Sequence, residues 1–413
     1  MLLLKKALIF DARSPHHLSR VDILVEKGKV SRIAKTIKAE KRTKVIKSGN
    51  LCVSPGWVDI GCYNGEPGYE YREDLDSLMQ AASAGGYCRV ATFPTSTPTV
   101  DSKAQISYLT NRSSSFVNEI VPIAALTKGR LGKEIADLLD LKSGGAVAFS
   151  DGNEGHFDHA LLQRALLYLK RINGSVIYSA CPKSRGQVHE GEISVQMGLE
   201  GIPSHEESGN VAAAINEADY TESPILIHNV SSSESLRHIK DSENATATVS
   251  FMNLIYEDQD QLDFSLNLKV HPPLRAKKDR KALCKAVREG VIGAITSNHY
   301  PLSQEEKDQP FGLSKTGAST LETVFASLNT MCKELDLETI IHSLSIGPSK
   351  LLQLKCPILE KGSDASLTIF DPNIKSEITR DSLRSKSLNN PFINQTLEGK
   401  VLGIINGTRQ VLT

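Results

Sequence analysis

Short apolar runs alternate with amphipathic stretches along most of the chain. Near the N-terminus, 3–10, 22–26 and 30–33 are β-rich runs, and Glu26-Lys27-Gly28-Lys29 supplies a turn between the last two. The stretch 35–47 is crowded with Lys and Arg and reads as a solvated hairpin rather than an anion-binding face. From residue 56 the texture changes. Eight apolar runs read as strands, at 58–63, 89–93, 120–125, 146–151, 175–180, 224–230, 245–251 and 294–299. Helix-like segments fall between them at 75–84, 133–141, 160–171, 206–217, 233–240 and 278–289. Eight βα units over about 250 residues fit a closed (β/α)8 TIM barrel better than an open doubly wound sheet. Strands return at 365–370, 399–406 and 409–412, and 375–394 reads as polar and irregular. The pattern predicts an α/β protein: a barrel over 56–355, with a small β-sandwich module formed by 1–55 and 356–413.

Composition narrows the function classes. Among 413 residues, 48 Lys and Arg balance 48 Asp and Glu. Nucleic-acid and membrane-surface binding call for a basic excess, which is absent. No apolar run approaches the ~18–20 residues of a membrane span. The opening Met-Leu-Leu-Leu-Lys-Lys places its charges after the apolar run, the wrong order for a secretion signal. Seven scattered cysteines without a Cys-x-x-Cys pair suggest free thiols and a cytoplasmic protein. Eleven histidines are enough for a metal site, so their placement decides the chemistry.

Catalytic groups of a barrel stand at the C-terminal ends of its strands. Those ends read Asp59-Ile60-Gly61-Cys62-Tyr63-Asn64-Gly65, Phe149-Ser150-Asp151-Gly152, Ile227-His228-Asn229 and Ser297-Asn298-His299-Tyr300. Further pieces are Glu66-Pro67-Gly68, Tyr71-x-Glu73-Asp74, Gly201-Ile202-Pro203 with Glu206, Pro272-Pro273-Leu274-Arg275, and Ser385-Lys386-Ser387 followed by Asn390-Pro391-Phe392. In this order and spacing the chain resembles a dihydroorotase of the amidohydrolase superfamily, of the type found in bacteria and in multifunctional pyrimidine complexes.

The resemblance implies zinc-assisted opening or closure of a cyclic amide. It also implies a ligand set, and this chain departs from that set. The family's His-x-His falls on Gly61 and Tyr63, neither of which replaces an imidazole. The arginine that pairs with the substrate carboxylate falls on Gly65, and the substrate-holding asparagine on Thr95. The histidine after strand five is missing from Tyr178-Ser179-Ala180-Cys181, and Pro-His-His after strand seven has become Phe251-Met252-Asn253. The proton-shuttling aspartate has become Asn298, an amide that accepts no proton at neutral pH. Asp151 and His228 survive at ligand positions, whereas zinc wants three or four donors. Gly65, Thr95, His271 and His299 are expected as remnants of the substrate pocket.

No bound metal, cofactor or catalytic residue is therefore expected. The resemblance suggests a non-catalytic member of pyrimidine biosynthesis with a structural or regulatory role, homodimeric, and with aspartate carbamoyltransferase as a candidate partner. An altered cyclic-amide hydrolase would need a rebuilt centre from Asp151, Glu154, His156, His159, His228 and His299. A small-molecule binding protein would need a surviving pocket. Cys62 reads as a small buried residue rather than a reactive thiol, and His16 and His17 as exposed. Asp59 is assigned helix-start or turn bonding. Arg275 either faces a ligand or pins its loop.

Overall fold

The computed structural model describes residues 1–154, 158–180 and 184–412. Eight parallel strands form the central sheet in sequence order: Trp57–Cys62, Tyr87–Thr92, Glu119–Ala124, Ala148–Phe149, Val176–Ser179, Ile225–His228, Ala245–Ser250 and Ile292–Thr296. Their inward faces carry Val58, Ile60, Ala91, Val121, Ile123, Ala148, Ile177, Leu226 and Ala294, which fill the interior with small and branched side chains. The Asp59 carboxylate accepts the Ser297 N–H at 2.7 Å and the Ser297 hydroxyl at 2.6 Å. It clasps the end of the eighth strand to the first, a strand-to-strand bond in place of the helix-start or turn bond expected for it. Burial pushes the Asp59 carboxyl up to about 6.

The helices cover the outside. Leu75–Gly85 begins at Asp74, whose carboxylate accepts the Ser77 N–H at 2.7 Å, and ends at Gly86 with φ of +92°. The helix expected over 133–141 is instead the short helix Leu138–Ser143, capped by Asp137, whose carboxylate accepts the Asp140 N–H. Lys103–Ser113 is a further helix that buries only Ile106 and Leu109. Val324–Met331 and Leu337–Leu344 complete the coat after the last strand.

Both termini build a second sheet. Its strands run in the order Arg409–Leu412, Thr396–Asn406, Ser366–Glu377, Cys52–Pro55, Leu2–Ile9, Arg20–Glu26 and Lys29–Ala34. Lys44–Ile46 pairs parallel with Leu2–Ile9, so the basic stretch is exposed for the most part but is not a hairpin. Strand Ser366–Glu377 runs through residues expected to be irregular, with alternating burial in its second half. The single tryptophan, Trp57, joins sheet to barrel. Its ring lies 5.2 Å from that of Phe325 and 5.6 Å from that of Phe370, and its N–H donates to Ser54 Oγ at 2.9 Å. No helix among the described residues is long and apolar enough to cross a membrane.

Candidate active site

Gly61 sits at the end of the first barrel strand with φ of +81°. A Cβ there would lie 2.6 Å from His228 Cε1 and 2.6 Å from Phe93 Cε2. The space beside Gly61, where the resemblance places the first ligand, is thus occupied by two rings. Tyr63, where the resemblance places the second ligand, is buried, with its ring tilted against those of Phe93 at 5.3 Å and Tyr300 at 4.2 Å. Phe93 meets His228 edge-on at 5.0 Å. Tyr300, Tyr63, Phe93 and His228 therefore form a continuous file of rings across the mouth. Two cavities remain beside it. One, of about 30 Å³, is lined by Tyr63, Asn64, Gly65, Thr95 and Tyr300. The other, of about 10 Å³, is lined by Ser179, His228, Asn229 and His271. Neither has room for more than about one or two waters.

Asp151 and His228, expected at ligand positions, face different partners. Asp151 accepts the N–H groups of Leu126 and Thr127 at 2.9 and 3.0 Å, and the Thr127 hydroxyl at 2.5 Å. Both of its oxygens are committed to the loop after strand three. His228 Nδ1 lies 3.2 Å from the Thr248 hydroxyl, and its buried Nε2 has no hydrogen-bond partner. Burial, with His271 nearby, pushes the His228 imidazole down to about 3, so it is neutral.

Asn298, at the proton-shuttle position, is a structural bridge. Its Nδ2 donates to the His271 carbonyl at 2.8 Å, and its Oδ1 accepts from Asn229 Nδ2 at 3.2 Å. His299 is fully buried beside it. Its Nδ1 accepts the N–H groups of Thr320 and Leu321 at 3.1 and 3.3 Å. The ring proton therefore sits on Nε2, which faces the Glu73 carboxylate at 3.6 Å. Glu73 in turn binds Ser77, Ser385 and the Lys386 N–H. Lys386 pairs with Asp74. The Glu73-Asp74 and Ser385-Lys386-Ser387 motifs thus bind one another, tying the C-terminal segment to the barrel.

The remaining positions follow the same logic. A Cβ on Gly65 would lie 2.2 Å from the Glu73 carbonyl and 2.3 Å from the Tyr69 carbonyl, so no arginine fits there. Thr95 is half-buried and its hydroxyl has no partner. His271 lines the smaller cavity, and burial pushes its imidazole down to about 4. Arg275 does not face a ligand: it is buried, and donates to Ser231 Oγ at 3.0 Å, to the Ile202 carbonyl at 2.8 Å and to Glu207 at 3.3 Å. Glu207 also accepts the N–H groups of Ser231 and Ser232. The ion-pair partner is therefore Glu207, while the neighbouring Glu206 accepts the Ser184 N–H. Cys62 is buried, and burial holds its thiol well above the usual range. His159 is exposed at a helix start, and His16 and His17 are half-buried, His17 beside Glu338 at 3.1 Å. His156 and the Glu154 side chain lie outside the described residues.

These donors do not fit a zinc ion at the barrel mouth. His228 and His271 both line the smaller cavity, but Asp151 binds the loop after strand three, Gly61 has neither a donor nor room for one, and no three His, Cys, Asp or Glu ligand atoms converge at the mouth among the described residues. Phe93, Tyr300 and Glu207 carried no signal as site-shaping residues in sequence, since each acts through a partner far along the chain.

Comparison with known proteins agrees with the fold and names the family. A sequence model described as Dihydro-orotase-like matches residues 49–235. The dihydroorotase of Caldicellulosiruptor saccharolyticus is 35% identical over 98% of this chain and 97% of its own length. That of Geobacter metallireducens is 33% identical over 95% of each. The L-hydantoinase (dihydropyrimidinase) of Arthrobacter aurescens superposes with a TM-score of 0.83 at 18% identity, covering 100% of this chain and 96% of its own, and speaks for the fold alone. At this identity over nearly its whole length, the chain belongs to the dihydroorotase family.

Proposed function

We propose that this chain is a dihydroorotase-family protein that does not turn over dihydroorotate, and that its role in pyrimidine biosynthesis is structural or regulatory. The observation that carries this reading is the filled space at Gly61, where His228 and Phe93 stand within 2.6 Å of the missing side chain. Zinc is not expected at the barrel mouth, and no residue there is assigned a catalytic role. A homodimer, and assembly with aspartate carbamoyltransferase, belong to the same proposal. A rebuilt hydrolase is disfavoured because Asp151, His228 and His299 each bond to a different neighbour, and His159 is exposed. A pyrimidine carrier is disfavoured because the two cavities beside the file of rings, among the described residues, are of water size.

The test has two arms. Zinc-supplemented protein is assayed for hydrolysis of dihydroorotate and for ring closure of carbamoyl aspartate, and it is sedimented with aspartate carbamoyltransferase. No turnover together with a co-sedimenting complex is the expected result. Turnover above a protein-free control overturns the non-catalytic reading, and separate sedimentation removes the proposed partner.

A further inference from the structure

Cys284 and Cys332 stand apart from the barrel mouth. Cys284 lies on the helix Lys277–Arg288, and Cys332 follows the helix Val324–Met331. Both are buried in the outer core, with their sulfurs 3.8 Å apart. Glu334 adds a carboxylate. Among the described residues these three are the one group of His, Cys, Asp and Glu whose ligand atoms all lie within 4.8 Å of one another.

Two thiolates at ~2.3 Å from a tetrahedral zinc are ~3.8 Å apart, so the sulfurs already have the required spacing. Packed thiols touch at a similar distance; the third donor, the charge balance and access distinguish a site from a simple contact. Arg280 bridges Glu334 at 2.7 Å and Glu257 at 2.8 Å. A divalent cation that displaces the two thiol protons leaves the local charge unchanged, so this ion-pair triad persists. Glu334 and Arg280 line an open cleft of about 510 Å³ with Glu257, Asp260 and Met331, which brings solvent to the Glu334 side of the group. The hydrogen bond with Cys332 and burial both raise the Cys284 thiol. A metal supplies the charge that removes its proton.

We propose that Cys284, Cys332 and Glu334 form a structural site for a thiophilic divalent cation of the zinc class, with water as fourth ligand. The site is independent of the reading of the barrel mouth. The thiolate pair selects against magnesium and calcium, which prefer oxygen.

The test is titration of the reduced, full-length protein with cobalt(II), followed by zinc(II). A thiolate-to-cobalt charge-transfer band that saturates at one cobalt per chain and is abolished by zinc is expected. Cys284→Ser and Cys332→Ser should each lose the band, Glu334→Gln should weaken cobalt binding by at least ~10-fold, and His228→Ala should keep the band unchanged. At a urea concentration where both thiols of the metal-free wild-type protein are alkylated, cobalt should also shield them, mapped by mass spectrometry, which keeps the test decisive if the serine variants fold poorly. Absence of the band in protein with titratable thiols, its survival in both serine variants, or unshielded thiols at saturating cobalt overturns the proposal.

Discussion

Gly61→Ala measures how full the barrel mouth is. The substitution adds one methyl group to a residue at φ of +81°, a conformation that costs an L side chain ~1–2 kcal/mol. The new Cβ lies 2.6 Å from ring atoms of both His228 and Phe93, well inside the ~3.5–4.0 Å of a normal carbon contact. Overpacking of that kind costs ~1–3 kcal/mol. The sum is a destabilisation of ~2–5 kcal/mol. Equilibrium urea denaturation, followed through the single tryptophan at the junction of barrel and terminal sheet, reads it as a lowered midpoint. Gly209→Ala is the matched control. Gly209 is exposed in the helix Ser204–Thr221 with no atom within 4 Å of a Cβ, so alanine there should stabilise by ~0.5–1 kcal/mol. Combining Gly61→Ala with Phe93→Ala removes one colliding ring, and the pair should be less damaging than the sum of its parts. A Gly61→Ala protein as stable as the Gly209→Ala control would mean that the mouth is open, and the argument from a filled site would fail.

Two other predictions concern buried charge and buried neutrality. Glu207→Gln leaves Arg275 uncompensated in the interior and should cost ~3–5 kcal/mol, while Glu207→Gln with Arg275→Met should cost less than the sum of the two changes; strict additivity in urea midpoints would remove the ion pair from the account. His228 is held near 3 in the fold and titrates at ~6.5 when unfolded, so the unfolded chain binds its proton first as the pH falls. Its contribution to stability is whole above pH ~6.5 and drains away toward pH 3, losing about 2 kcal/mol between pH 7 and 5. His228→Asn should therefore flatten the pH dependence of the urea midpoint in that window, and an unchanged slope would mean that the imidazole is solvated.

The barrel was legible because its strands are short, apolar and separated by helical periods. All eight expected strands overlap observed ones, and the ends move by only a few residues. The helix Lys103–Ser113 escaped because its two buried residues leave almost no amphipathic stripe. The tail of strand Ser366–Glu377 escaped because it alternates polar residues along an exposed edge. At the mouth, residue type alone set Gly61, Gly65 and Asn298 apart from the histidine, arginine and aspartate that the resemblance implies. Direction was not legible. Asp151 keeps the identity of a ligand, yet its oxygens turn to Thr127, a choice made by backbone 24 residues away in sequence. Arg275 was ambiguous until Glu207 appeared beside it. The surviving family motifs proved to be each other's partners: Glu73 with Ser385, Asp74 with Lys386. These pairings hold the C-terminal segment to the barrel.

The most direct measurement is an anomalous difference map at the zinc edge from crystals grown with zinc. No peak is expected at the barrel mouth, with Phe93 and His228 packed against Gly61. A peak is expected between Cys284, Cys332 and Glu334, which lies elsewhere and is read separately. A peak within bonding distance of His228 Nε2, with Asp151 turned toward it, would contradict the central claim and return this chain to the metal-dependent members of its family.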